Sequence, residues 1–188
     1  AMGADEVILL SDRAFAGSDT WATSYALAQA IRKFEDKPGL ILFGKQAIDG
    51  DTAQVGPGVA EFLNLPIVTY VRKIEVKDGV VHVERVFEDG YEIMEAEMPC
   101  VLTILKEMNV PRMASLRGRM KAKKAEIKVL NAVAIEADPN EVGLLGSPTK
   151  VMKIFSPPKK HGGIKIVGTA PLDAAREVIG KLKEQKVI

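Results

Sequence analysis

The hydrophobic pattern of the first third of the chain predicts two buried strands, each followed by a helix. Residues 7–10 and 40–43 are short, continuous apolar runs, which is typical of strands in the interior of a parallel sheet. Apolar residues recur at helical spacing after the first run and predict a helix over about residues 20–34. The second run precedes a helix over about residues 55–63, because Pro57 is tolerated only in a first turn.

The middle of the chain changes to an alternation of apolar and polar residues, which is typical of half-buried antiparallel strands. The alternation covers residues 68–76, 80–87 and 91–98, and an Asp-Gly pair separates each segment from the next. Because Asp-Gly is a strong hairpin signal, we expect a three-stranded meander at the edge of the main sheet or over one end of it. Residues 101–105 then repeat the pattern of a buried strand.

These elements indicate an α/β fold with a Rossmann- or flavodoxin-like parallel sheet and an antiparallel hairpin insertion. Successive strand–helix units imply right-handed crossovers between parallel strands, so we expect the first two strands to pair. The last third has little periodicity apart from an amphipathic helix expected over about residues 172–183. We therefore predict one α/β domain over residues 1–135, followed by an extended C-terminal arm and helix over residues 136–188.

Composition and charge exclude several classes of function. The 188 residues carry a formal net charge of +1, whereas a domain built to bind nucleic acid is usually far more basic. No apolar run approaches the ~20 residues that are needed to cross a bilayer, so membrane insertion is not expected. Cys100 is the single cysteine, which leaves no internal disulfide and suits a reducing cytoplasm. The chain does not begin with Met and enters a strand almost at once, so we expect that it starts within a domain.

The most informative polar residues lie in the loop between the second strand and the second helix. Ligands of α/β sheets bind at the carboxyl ends of the strands, and a helix N-terminus offers unpaired N–H groups and partial positive charge. Backbone N–H groups of residues 52–55 are suited to hold a phosphate, with Thr52 and Gln54 as side-chain donors. Asp49 or Asp51 is suited to accept hydrogen bonds from ribose hydroxyls. A capped helix after a polar loop explains the pattern equally well, and no GxGxxG or Walker lysine pattern is present.

Hydroxyl side chains also stand near the start of the first helix, namely those of Ser18, Thr20, Thr23 and Ser24. They are candidates for binding a second phosphate. The local pattern favours the simpler interpretation that Ser18 or Asp19 caps the helix and that Thr23 and Ser24 pack locally.

Three segments resemble electron transfer flavoprotein β subunits. Residues 42–56 (LFGKQAIDGDTAQVG) closely resemble the nucleotide loop of that family, and residues 1–5 and 113–124 (MASLRGRMKAKK) match it as well. The resemblance covers essentially the whole chain. The family's N-terminal strand, which lines one side of the nucleotide pocket, has no counterpart here, so we expect the sequence to lack that segment.

The resemblance implies that residues 1–135 form a nucleotide-binding domain, whose loop at residues 49–55 holds AMP in ordinary members and FAD in electron-bifurcating members. Residues 12–24 are similar to the form found in bifurcating members. A second helix N-terminus also gives a pyrophosphate a second anchor, so FAD is the expected cofactor and AMP the alternative. The expected cofactor-binding residues are Gly44, Asp49, Asp51, Thr52, Ala53, Gln54 and Val55, together with Ser18, Thr20 and Thr23.

The resemblance also implies partners. The family forms a heterodimer with an α subunit that carries another FAD, and residues 136–188 are expected to contact that subunit. Residues 113–124 correspond to a loop that docks an acyl-CoA or related flavin dehydrogenase. Leu116 matches the residue that enters a pocket of that partner, while Arg117, Arg119 and Lys121 are expected to steer the encounter.

The resulting prediction is a β subunit that positions FAD and leaves the redox chemistry to the flavin. With its α subunit it would pass electrons between NADH, a ferredoxin or flavodoxin and the dehydrogenase by flavin-based bifurcation, as a carrier rather than a self-contained enzyme. The first alternative is an ordinary β subunit with structural AMP. The second is a nucleotide-sensing protein related to the universal stress family, which the long arm and the Leu116 loop disfavour.

Overall fold

The strands lie in two separate sheets in the computed structural model, which describes residues 1–159, 162–168 and 170–188. The smaller sheet pairs β1 (Ile8–Leu10) with β7 (Lys128–Leu130) in parallel. The larger sheet has the order β2 (Leu40–Gly44), β6 (Cys100–Ile104), β3 (Ile67–Lys77), β4 (Val80–Phe87) and β5 (Gly90–Glu97). In it β2, β6 and β3 are parallel, whereas β3, β4 and β5 form an antiparallel meander.

The expected pairing of the first two strands is wrong. β1 pairs with β7, where Leu9 lies opposite Val129, and β2 pairs with β6 in the other sheet. The expectation that both strands are buried on both faces is wrong as well. Leu9 is 50% exposed and Leu42 is 47% exposed, because one face of each strand has no covering element among the described residues.

The first two helices cover the opposite face of these strands. α1 (Thr20–Arg32) packs on the smaller sheet through Ala26 and Ala30, which form a buried cluster with Ile135 and Val142. α2 (Val55–Leu63) packs on the larger sheet through Ala60, which contacts Ile41 and Val101. Both helices confirm the periodicity in the sequence, although α1 ends two residues earlier than predicted.

The meander forms where the alternating pattern and the Asp-Gly turns predict it. Its inner face carries the buried side chains of Val71, Val81, Val83 and Ala96. They pack on Leu102 in β6, which is fully buried. Cys100 belongs to the same cluster and is a core residue, and burial raises the pKa of its thiol.

The last third contains one unpredicted helix and one predicted helix. α3 (Leu116–Lys124) was not expected, because its polar sequence has no apolar stripe. The hydroxyl of Ser115 caps it by accepting a 3.0 Å hydrogen bond from the N–H of Gly118. α4 (Pro171–Glu184) matches the predicted amphipathic helix. Among the described ranges, no helix combines the length and the apolar character that crossing a membrane requires.

The described residues divide into two compact units, Ala1–Val151 and Met152–Ile188. Residues 136–151 belong to the first unit because Val142 is buried against α1 and Ser147 is buried beside the loop that precedes it. The first unit therefore extends beyond the predicted domain of residues 1–135, and the second unit holds the later part of the predicted arm.

Candidate functional site

Helices α1 and α2 begin side by side. The hydroxyl of Thr20 in α1 donates a 2.9 Å hydrogen bond to Oε1 of Gln54, the residue that precedes α2. The buried hydroxyl of Ser24 donates to the carbonyl oxygen of Thr20 at 2.6 Å and to that of Val55 at 3.2 Å. Gly58 permits this approach, because a Cβ at that position would overlap the Ser24 side chain. Two residues from each predicted loop are thus brought together.

The N-terminus of α2 is left without internal acceptors. Gln54 makes no side-chain cap, and the N–H groups of residues 52–56 donate no hydrogen bond to any described residue. Unpaired N–H groups at a helix start carry about half a positive charge and favour an anion. Five consecutive donors at one helix terminus have the chemistry that suits an anion such as a phosphate.

The loop before α2 is shaped by two residues with left-handed backbone. Asp51 has φ 51° and Ala53 has φ 54°. The N–H of Asp51 donates to the carbonyl oxygen of Ala47 at 3.0 Å, which closes a turn. The Asp49 carboxylate accepts a 3.0 Å hydrogen bond from the N–H of Gly50, while the Asp51 carboxylate accepts one from the side chain of Gln46. Both carboxylates are thus held locally and stay exposed to solvent.

The donors and acceptors of this loop fit a nucleotide. Thr52 is exposed, and Gln54 uses its carbonyl oxygen on Thr20, so its amide NH₂ group is still available as a donor. These groups and the backbone N–H groups suit a phosphate, while the acceptor-only carboxylates of Asp49 and Asp51 suit ribose hydroxyls. Gly44 ends β2 at the entrance to the loop and is exposed.

The N-terminus of α1 differs, because its own carboxylate occupies it. Asp19 is the N-cap and accepts hydrogen bonds from the N–H groups of Trp21 at 2.9 Å and Ala22 at 3.1 Å. Ser18 donates to the carbonyl oxygen of Phe15 and accepts from the N–H of Gly143, so its hydroxyl belongs to the framework. This is the simpler interpretation drawn from the sequence. A second phosphate here would meet only the hydroxyls of Thr20 and Thr23, beside the negative charge of Asp19.

Two aspartates near this site have long-range partners that the sequence did not indicate. The second carboxylate oxygen of Asp12 accepts from the N–H of Ala132 at 3.0 Å, and that of Asp19 accepts from the N–H of Thr149 at 2.9 Å. Hydrogen bonds from the N–H groups of Ala14 and Ala132 hold the pKa of Asp12 below its ordinary value. Burial raises the pKa of Asp19, but hydrogen bonds from Thr149 and from the first turn of α1 outweigh it, so that pKa is also lowered.

The segment over residues 113–124 presents apolar and basic side chains to solvent. Leu116 is 77% exposed in the first turn of α3, and Met113 and Met120 beside it are also exposed. Arg117, Arg119 and Lys121 follow on the same short helix and are exposed. The sequence predicted the exposed leucine and the basic residues. It did not predict the exposed side chains of Met113 and Met120, which add to the apolar surface of this segment.

Similarity to known proteins extends over the whole chain. The family model of the electron transfer flavoprotein domain matches residues 1–135. The chain is 50% identical to the caffeyl-CoA reductase-Etf complex subunit CarD of Acetobacterium woodii, an alignment that covers 100% of this chain and 71% of that protein. It is also 50% identical to the electron transfer flavoprotein subunit beta of Megasphaera elsdenii and to that of Thermoanaerobacterium thermosaccharolyticum, covering 100% of this chain and 72% of each.

Proposed function

The chain belongs to the electron transfer flavoprotein family as a β-subunit member, and from that premise we propose that it binds FAD at the N-terminus of α2. Members of the family act with an α subunit and a dehydrogenase or reductase. With such an α subunit, this chain would pass electrons between NADH, a ferredoxin or flavodoxin and an acyl-CoA-type dehydrogenase by flavin-based bifurcation. We place it in the cytoplasm, which suits its single buried cysteine.

The observation that carries the proposal is the run of unused N–H groups over residues 52–56. Most of these residues are exposed or half-buried, so a phosphate can take the place of water as the acceptor of their N–H groups. The flavin supplies the redox chemistry when it is bound, and the protein supplies its position. No described residue of the site is needed as a nucleophile or as a general base in this role.

Each predicted residue has a role consistent with its placement. Thr52 and the amide group of Gln54 would donate to phosphate oxygens, alongside the N–H groups of Ala53 and Val55. Asp49 and Asp51 would accept from ribose hydroxyls at the exposed edge of the loop. Gly44 would let the nucleotide approach the end of β2, Thr23 would donate to a second phosphate, Thr20 would orient Gln54 toward the first phosphate, and Ser18 would support the first loop.

The choice between FAD and AMP depends on the first loop. Its similarity to the bifurcating form favours FAD, and one relative named above is a subunit of a caffeyl-CoA reductase-Etf complex. The capping of α1 by Asp19 favours AMP, because the amides of Trp21 and Ala22 are already bonded and one phosphate needs only α2. An ordinary β subunit with AMP is therefore the second candidate. The family assignment gives no support to the universal-stress alternative.

We further propose that Leu116 is the anchor for the dehydrogenase. An exposed apolar side chain surrounded by charge fits a transient interface, in which the anchor supplies affinity and the charges raise the encounter rate. Arg117, Arg119 and Lys121 would supply that charge. Residues 136–188 would contact the α subunit.

The nucleotide content of the heterodimer tests the proposal. The chain is purified with its α subunit and denatured, and the released nucleotides are separated and counted. Two FAD per heterodimer is the expected result, and one FAD with one AMP would support the second candidate. A heterodimer whose only nucleotide is the FAD of the α subunit would contradict nucleotide binding by this chain.

A matched pair of variants locates the nucleotide. Thr20→Val removes the hydroxyl that orients Gln54, so we expect nucleotide affinity to fall about 5-fold, the equivalent of one hydrogen bond of ~1 kcal/mol. Thr69→Val makes the same chemical change in β3, where the hydroxyl accepts from Arg85, and should leave the affinity unchanged. Equal effects of the two variants would show that α2 is not the binding place.

A further inference from the structure

Two aspartates in the loop after β1 hold a segment that is far away in the sequence. We call residues 131–149 the return segment. Asp12 accepts from the N–H of Ala14 with one carboxylate oxygen and from the N–H of Ala132 with the other, both at 3.0 Å. Asp19 caps α1 with one oxygen and uses the other for Thr149, accepting from its N–H at 2.9 Å and its hydroxyl at 2.8 Å. Each carboxylate therefore joins a local cap to the return segment.

The fit between the loop and the return segment is close on both sides. The N–H of Asp19 donates to the hydroxyl of Ser147 at 2.8 Å, and Ser147 donates to the carbonyl oxygen of Gly143 at 2.6 Å. Gly143 has φ 61°, and a Cβ there would overlap the carbonyl oxygen of Ala14. Any larger residue at this position would therefore push the return segment away from the loop.

Asp19 lies between the candidate nucleotide site and the end of the first compact unit. On one side its neighbour Thr20 donates to Gln54, which opens α2. On the other side Thr149, bonded to Asp19, is two residues before Val151, the last residue of the unit. Two hydrogen bonds and the peptide link between Asp19 and Thr20 thus connect the N-terminus of α2 to Thr149, near the end of the first unit.

We propose that Asp19 is a positioning residue that couples nucleotide binding at α2 to binding of the α subunit by the residues after Val151. This inference rests on the proposed function. A nucleotide that fixes Gln54 also fixes Thr20 and the start of α1. Through its bonds to Thr149, Asp19 then restricts the end of the first unit as well. Binding of the α subunit to the nucleotide-bound chain therefore has fewer residues left to order than binding to the nucleotide-free chain. Coupling of this kind is reciprocal, so α-subunit binding tightens nucleotide binding by the same factor.

Asp19→Asn separates this role from simple capping. Asparagine is about as good an N-cap as aspartate, so α1 keeps its start. Its side chain has one oxygen and one NH₂ group, so in either orientation it cannot accept from both α1 and Thr149. Thr149→Val is a milder variant, because it removes the hydroxyl bond and keeps the bond from the backbone N–H.

Asp138→Asn is the matched control. It makes the same change within the return segment, where the Asp138 carboxylate accepts from the backbone N–H and the side-chain NH₂ of Asn140. These bonds close a local turn and do not reach the loop after β1. The control therefore reports the effect of replacing an aspartate by asparagine in the return segment without breaking the connection through Asp19.

The experiment measures the dissociation constant of the heterodimer with saturating FAD, with saturating AMP and without added nucleotide. The FAD of the α subunit contributes equally to all variants. For the wild type we expect either FAD or AMP to lower the dissociation constant of the heterodimer about 5-fold or more, which is the lower end of the usual coupling between sites. Asp19→Asn should reduce that factor to below about 2-fold, Thr149→Val should reduce it partly, and Asp138→Asn should leave it unchanged.

Amide hydrogen exchange of residues 143–149 in the same heterodimers gives a readout that simple destabilisation would not reproduce. In the wild type, nucleotide should slow exchange in this segment, whereas in Asp19→Asn exchange should be fast with or without nucleotide. A nucleotide effect in Asp19→Asn equal to that of the wild type would overturn the coupling. Wild-type protein that binds neither nucleotide nor the α subunit would contradict the proposed function itself. Failure of the proposed function can therefore be told apart from failure of the coupling through Asp19.

Discussion

Gly58→Ala tests the contact that places the two helix starts side by side. Gly58 lies within α2 and faces Ser24, whose side chain is 1% exposed. A Cβ at position 58 would stand 2.8 Å from the Ser24 Cβ and closer still to its hydroxyl oxygen. Because Ser24 is enclosed and its hydroxyl is bonded to Thr20 and Val55, the helices must separate to admit the methyl group.

The magnitude follows from two opposed contributions. Alanine is favoured over glycine in a helix interior by about 1 kcal/mol. Overpacking costs about 1–3 kcal/mol, and weakening the Ser24 hydrogen bonds costs about 1 kcal/mol more. We therefore expect a net loss of about 1–3 kcal/mol in the free energy of unfolding, which lowers Tm by roughly 2–12 °C for a chain of this size.

Thermal and denaturant unfolding measure this loss, and Gly180→Ala supplies the control. Gly180 lies within α4 and has no atom near its prospective Cβ, so the same change there should stabilise by up to about 1 kcal/mol. Ser24→Ala combined with Gly58→Ala should recover part of the loss, since the closest clash is with the hydroxyl oxygen. Gly58→Ala that stabilises as Gly180→Ala does would refute the close approach of α1 and α2.

The remaining predictions concern docking and pH. Leu116→Ala should weaken dehydrogenase binding by about 1–3 kcal/mol with little change in Tm. Val133→Ala, at a similarly exposed position outside α3, should change neither the affinity nor Tm. Surface plasmon resonance measures the affinity, and thermal unfolding of the same variants measures Tm. Replacing Arg117 and Arg119 by Gln should instead lower the association rate and flatten its dependence on salt, because exposed charges act mainly on encounter. The lowered pKa of Asp12 stabilises the fold above the ordinary pKa of an aspartate, and this contribution is lost as pH falls through the folded pKa. The difference in unfolding free energy between wild type and Asp12→Asn should therefore shrink in acid, and a constant difference would contradict that assignment.

The periodic elements could be predicted from the sequence, and the short or polar ones could not. The meander and α2 follow from alternation, from Asp-Gly turns and from the position of Pro57, signals that are local. β7 has only three residues, and its pairing with β1 joins positions 120 apart in the chain, as Ile8 with Lys128. The placement of β1 outside the main sheet depends on that long-range pairing, which no local pattern encodes.

The same distinction holds within the candidate site. A cap by Asp19 could be predicted, because a cap involves residues two and three positions away. The bond between Asp19 and Thr149 spans 130 positions. A carboxylate has two oxygens, so it can accept from both α1 and Thr149, and nothing in the local sequence indicates the second partner. Likewise, unpaired N–H groups over residues 52–56 could be suspected from the sequence, but only the structure shows that Gln54 turns its side chain to Thr20 rather than to its own helix.

The two adjacent helix starts differ in the charge of the residue that precedes them, which bears on anion binding. At α1 the N-cap is Asp19, whose negative charge satisfies the first amides and already offsets the partial positive charge of that terminus. At α2 the corresponding position is Gln54, which is neutral and bonded elsewhere, so the N–H groups and the charge of that terminus remain available. On the proposed function, a phosphate would therefore gain its strongest binding at α2, and Asp19 would disfavour an anion placed directly at α1. If FAD binds as proposed, its first phosphate would lie at α2 and its second toward Thr20 and Thr23. Asp19→Asn removes that charge while it preserves the cap, so it should favour FAD over AMP relative to the wild type, and an unchanged preference would show that the second phosphate lies beyond the field of Asp19.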